Sequence, residues 1–204
     1  MWYSREEKDK KENPMKKILT TVLLFALVSV GLMTQTTDMG RGVFVNMEGP
    51  INILADAGLV ERYLESDYIM IMLFLLTDPN VNANINRDTV WVMYNNEPIK
   101  MPVLSEFREA YLNENRDARV YDRMGKDQLI QSQLSGYPIN WDFDFFPLRS
   151  QAKSTDRASL SATVITKTKL YIKNPGFNVG DRFLIAVRDI DNPDLKGAVA
   201  VVLN

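Results

Sequence analysis

The sequence predicts a mainly β chain, an antiparallel β-sandwich interrupted by a helical insertion around residues 103–135. Three observations carry that expectation. Short runs with period-two alternation recur on both sides of the insertion. Turn formers such as Asn95-Asn96, Asn174-Pro175-Gly176 and Asp191-Asn192-Pro193 punctuate those runs. Between Leu104 and Met124 the apolar residues instead recur every three or four positions, the period of a helix.

The elements follow in order. Gly42–Gly49 reads as a first strand closed by Gly49-Pro50. Ile51–Leu64 is ambiguous, with Leu59, Val60 and Tyr63 at helical spacing. Tyr68–Thr77 holds eight consecutive apolar residues and ends at Asp78-Pro79-Asn80, which fits a central strand buried on both faces. Asn80–Asn86 reads as a polar loop. Thr89–Tyr94 is a strand, with Trp91 and Met93 on one face and Val92 and Tyr94 on the other. Asn95-Asn96 suits the positive φ angles of a tight turn into Ile99–Met101.

In the insertion, Leu104, Phe107, Tyr111, Ala118, Tyr121 and Met124 form an apolar stripe. The skipped turn at Glu114 and Asn115 allows one helix or two meeting near Asn113–Arg116. Ser105 is the expected cap and Gly125 the expected stop. Gln128–Leu134 reads as a further short helix ending at Gly136. Strands return with Asn140–Phe146, where aromatic and acidic residues alternate, and with Leu160–Ile172, where Leu160, Ala162, Val164, Leu170 and Ile172 face one way and Lys167, Lys169 and Lys173 the other. Phe183–Ile190 and Ala198–Leu203 form a closing hairpin. The layering expected is immunoglobulin-like in architecture alone, and architecture carries no function.

Ahead of the domain, Lys16-Lys17 precede the apolar run Ile18–Met33. A membrane span needs roughly 20 apolar residues, so this shorter run reads as a cleaved signal peptide, cut after Gly31, with an uncleaved anchor as the alternative. Residues 1–14 form a charged leader that reads as an artefact of a start at Met15. The expected division is leader 1–14, signal or anchor 15–31, polar spacer 32–41, and one domain over 42–204. The domain is thus expected outside the cytoplasm, in the periplasm or at the cell surface. It touches the membrane only through the amino-terminal segment.

Composition narrows the chemistry. The chain has neither cysteine nor histidine. That excludes disulfides, thiol nucleophiles, imidazole-based triads and zinc sites of the usual donors. With no cysteine to acylate, the chain is not a lipoprotein. Beyond residue 17, acidic residues exceed basic ones by four, and no basic run lies along a helix, so nucleic acid is not an expected partner.

Four constellations remain. Asp142 and Asp144, two apart on a strand, would sit roughly 7 Å from each other, inside the ~6.5–9.5 Å window of inverting glycosidases. Trp91, Tyr94 and Trp141 offer aromatic faces for a sugar. The simpler reading buries Trp141, Phe143 and Phe145 and leaves the aspartates in water. Asp189, Asp191 and Asp194 could offer oxygen ligands to calcium, although Asp and Asn in such a connector also bond their own backbone. No other cofactor is expected. On the insertion, Arg108, Arg116, Arg119 and Arg123 form a face suited to docking a partner, since arginine is enriched at interfaces. The expectation is a non-catalytic exported envelope or surface protein acting through protein–protein contact or self-assembly. The alternative is a carbohydrate-binding module or carboxylate-dependent glycan hydrolase centred on Trp141–Phe146.

Overall fold

Three consecutive residues with positive φ, Gly40, Arg41 and Gly42, reverse the chain between strands β1 (Thr37–Gly40) and β2 (Val43–Asn46). The computed structural model describes residues 36–134, 136–148 and 156–204. The leader and the apolar segment expected to direct export lie outside the described residues. Among the described residues, no helix is long and apolar enough to cross a membrane. β1 falls within the stretch read as a spacer. All four of its residues are exposed, so no apolar alternation marks it.

β3 (Ile51–Asp56) is buried throughout and gives way to turns, so the ambiguous segment is half strand and half turn. β4 (Tyr68–Thr77) is buried from Ile69 onward, as its unbroken apolar run requires. β5 (Ala83–Asn86) occupies the stretch expected as a loop; its buried Ala83 and Ile85 alternate with Asn84 and Asn86. A 3-10 turn at Arg87–Thr89, capped by Asn86, leads into β6 (Val90–Tyr94). Asn95 and Asn96, at φ 50° and 65°, then turn the chain into β7 (Glu97–Lys100).

The insertion forms α1 (Leu104–Ala110), α2 (Glu114–Met124) and α3 (Asp127–Gln133). The break between α1 and α2 falls where the apolar stripe skips a turn, and Gly125 ends α2 at φ 62°. Ser105 does not cap α1: Val103 holds that position and makes no side-chain bond.

Two strand expectations are corrected. Asn140–Phe146 is not a strand beyond β8 (Ile139–Asn140). The Asn140 side chain accepts from the Asp142 N–H at 2.9 Å and Asp144 from the Phe146 N–H at 3.0 Å. Such side-chain turns compete with a β ladder. Leu160–Ile172 divides at a turn into β9 (Arg157–Leu160) and β10 (Ile165–Lys173). β11 (Arg182–Arg188) and β12 (Lys196–Val202) pair as the expected hairpin.

The chain is mainly β, with curled, antiparallel-rich sheets in the orders β1-β2-β3-β4-β10-β8, β12-β11-β6-β7 and β5-β9. The β10–β8 pairing is parallel. One face of the six-stranded sheet carries the helical insertion: Phe107 of α1 packs 4.5 Å from Tyr171 and 5.4 Å from Tyr68, ring centre to ring centre. Toward the other sheet, β12 closes on β3, with Gly197 against Ile51. Lys167, Lys169 and Tyr171 alternate onto the helix side of β10. Lys167 and Lys169 are covered by the insertion and the segment after it, where each meets an aspartate, while Lys173 at the end of the strand is exposed.

Candidate docking face on the helical insertion

α2 is amphipathic, but the side it buries is partly acidic. Asp117 and Tyr121, four residues apart, both point inward and are 2% exposed. Asp117 is the centre of a buried cluster. Its Oδ2 accepts from the Tyr111 hydroxyl at 2.6 Å and from the Tyr171 hydroxyl at 3.4 Å. Its Oδ1 accepts from Arg116 at 2.9 Å and 3.1 Å. Burial, followed by the bond to Asp117, pushes the Tyr111 phenol up to about 12. Burial pushes Tyr171 up further, and the negative charge of Asp117 adds to it.

The cluster reaches the surface through Arg116. Its guanidinium, held by Asp117 on one side, lies 4.4 Å over the Tyr63 ring. Arg116, Tyr63, Ser66, Tyr111 and Asn113 line a shallow cleft of about 560 Å³. At this junction of α1 and α2, Leu112 is 79% exposed. Arg119 and Arg123 continue outward along α2, both exposed. The fourth arginine does different work: Arg108 is half-buried and donates to the Pro147 carbonyl at 2.8 Å, tying α1 to the segment after the insertion.

The Trp141–Phe146 constellation comes apart in space. Trp141 is 68% exposed, and the Lys167 ammonium sits 4.8 Å from its ring centre. Phe143, Phe145 and Phe146 are buried. Asp142 is exposed, whereas Asp144 is consumed by structure. It accepts from the Lys169 N–H at 3.1 Å and the Thr168 hydroxyl at 3.3 Å, and it pairs with the buried Lys169 ammonium at 2.6 Å. It thereby caps the open edge of β10 just beyond β8. Trp91 lies on β6 with the Arg188 guanidinium 5.4 Å from its ring centre. Tyr94 packs edge-on to Phe177 at 4.7 Å and donates to Asp181 at 2.7 Å, which lowers the Asp181 pKa. The three rings thus have separate neighbours rather than one shared platform.

Asp189, Asp191 and Asp194 also part company: Asp194 is exposed and donates its backbone N–H to the Asn192 side chain at 3.1 Å. Asp189 accepts from the N–H groups of Asn84, Asp191 and Asn192 at 2.5 to 2.9 Å. Burial works to raise its pKa, but these three donors bring it below the ordinary value. Asp191 pairs with Arg157 at 3.2 Å in solvent. Among the described residues, no group of three or more acidic side chains is placed to hold a metal ion. Asp189 alone of the three serves as a turn acceptor and as a tie to β5, among the described residues.

The residues that sequence reasoning missed are Tyr63, Ser66 and the inward role of Asp117. One signal was present: Asp117 falls in phase with the apolar Tyr121, where a solvated aspartate has no reason to be. No protein-family model, no curated protein and no solved structure matches this chain.

Proposed function

We propose that this protein is exported and works without catalysis, docking a protein partner in the envelope or at the cell surface through the outer side of α2. The observation that carries the reading is Leu112. It is 79% exposed, four residues before an arginine that is held rigidly against an aromatic ring beside a cleft. Arginine and tyrosine are the residues enriched at interface centres, and the exposed leucine beside them is apolar surface that docking would remove from water. Arg119 and Arg123 add exposed cations along α2 while Glu61, Glu65 and Asp67 line the cleft, which favours a partner segment carrying charges of both signs. On the same reading the curled sheets are the halves of a sandwich with immunoglobulin-like layering, and the lysine-led apolar segment directs export. Calcium has no part in it.

Cross-linking in the native envelope tests the reading. Wild-type protein is expected to join a discrete partner or a second copy, and Leu112→Asp with Arg119→Glu and Arg123→Glu is expected to lose that product while keeping its circular dichroism. Recovery of free monomer alone from wild type overturns it.

A second reading has one observation in its favour, the exposure of Trp141 beside exposed Asp142. The ring would stack on a sugar and the carboxylate would accept from its hydroxyls. Hydrolysis is disfavoured, because Asp144 is held in place by four donors. A glycan array with no binder removes this alternative.

A further inference from the structure

Beneath the insertion, Asp56 of β3 and Lys126, seventy residues later in the chain, meet at 2.8 Å. Both ends are withdrawn from water: the Asp56 side chain is 0% exposed and that of Lys126 is 8%. The two oxygens of Asp56 are not equivalent. Oδ1 accepts from the Gly58 N–H at 2.9 Å and from Lys126. Oδ2 is buried and has no hydrogen-bond partner among the described residues. Lys126 Nζ also donates to the Arg41 carbonyl at 2.7 Å. The approach is open only because residue 58 is glycine: a Cβ there would stand 2.4 Å from Nζ. The Tyr121 hydroxyl, also buried, faces the carboxylates of Asp56 and Asp127.

We infer that Lys126 and Asp56 condense to an intramolecular amide, a covalent cross-link between β3 and the start of α3. The reaction balances without any co-reactant. A proton passes from the Lys126 ammonium to Asp56 Oδ2, giving a neutral amine and a neutral acid. The amine lone pair attacks Cγ and forms the N–C bond, while the charge that gathers on Oδ1 is met by the Gly58 N–H. The Cγ–Oδ2 bond then breaks, and Oδ2 departs as water with a second proton from nitrogen.

The hydrogen-bond accounting favours the product. A buried ion pair carries a large desolvation cost, and a buried oxygen without a donor adds to it. Condensation removes both charges, and the atom expelled is the orphaned Oδ2. The amide that remains finds its partners in place: its N–H faces the Arg41 carbonyl and its carbonyl accepts from Gly58. Burial also protects the new bond from hydrolysis. In a chain without cysteine, such a link does the work a disulfide does elsewhere, closing a long loop of the unfolded chain.

Mass spectrometry of the purified full chain tests the cross-link. Its mass is expected to be one water below that of its sequence from the determined amino terminus. Proteolysis is expected to yield a single branched peptide joining the Asp56 segment to the Lys126 segment, with no cleavage after Lys126 by trypsin. Lys126→Met and Asp56→Ala are each expected to restore the full mass. Since either variant can also fail to fold, the wild-type peptide map is the deciding measurement. A full wild-type mass overturns the proposal. So does a water loss found in a linear peptide, which marks an aspartyl succinimide instead.

Discussion

Gly197 lies so close to Ile51 that a Cβ on it would stand 1.9 Å from the Ile51 carbonyl oxygen. This is where β12 crosses β3 and the two larger sheets approach each other. The obstruction is backbone, so no side-chain rotation relieves it. Gly197→Ala is expected to cost about 3 kcal/mol or more, measured as a fall in the urea midpoint, or to prevent folding. Gly136→Ala is its control for clearance, since a Cβ there meets nothing within 4 Å, although its φ of 70° adds some strain.

The two aspartates of the aromatic stretch should separate cleanly. Asp144→Ala leaves the Lys169 ammonium buried without its partner and frees the edge of β10, at a cost of about 3–5 kcal/mol. Asp142→Ala is expected to stay within about 0.5 kcal/mol of wild type, as exposed sites do. Chemical denaturation of both variants measures the difference. Equal effects would show that Asp144 does not anchor the strand.

Phe107 sits among four rings, with Tyr68, Tyr111, Phe146 and Tyr171 all within 5.5 Å of its centre. Phe107→Ala is expected to cost about 3–5 kcal/mol, as deletion of a fully buried aromatic does. It should also loosen α1 from β10, read as faster amide exchange in Leu104–Ala110.

Alkaline pH probes the same region. Burial, with Asp117 close by, holds Tyr111 at about 12, above the value near 10 of an exposed phenol. Because the folded-state pKa is raised, the stabilisation is complete below pH about 10 and is lost as pH climbs through about 12. Stability should fall across that window. Tyr111→Phe should flatten the fall, and at neutral pH it should cost about 1–3 kcal/mol through the lost bond to a buried carboxylate. Denaturant titrations at several pH values measure both effects.

How far the sequence could be read is clearest on β10. Alternation correctly put Lys167 and Lys169 opposite Leu170 and Ile172. It could not say that the lysine side would be roofed by a helical insertion and by the segment carrying Asp144, because alternation reports two faces and not what lies over each. The same limit applies to Asp117, an acid whose partners come from α1 and β10. Trp141-Asp142-Phe143-Asp144 carried the pattern of a strand, yet side-chain bonds to neighbouring N–H groups outcompeted the ladder. At β1 and β5 the strands were missed because they are four residues long and polar on at least one side.

What the chain determined by itself was local: the buried run Tyr68–Thr77, the asparagine turn at Asn95-Asn96, the skipped turn of the apolar stripe at Glu114 and Asn115, the closing hairpin, and the absence of thiol and imidazole chemistry. Each follows from periodicity, backbone preference or composition within a few residues. The tertiary structure alone decided which charges meet. Asp56 with Lys126, Asp144 with Lys169 and Asp117 with Tyr111, Arg116 and Tyr171 are set by how the helices lie on the sheet. A pairing across 70 residues leaves no trace in local spacing, since its energy depends on distance and burial in the folded state.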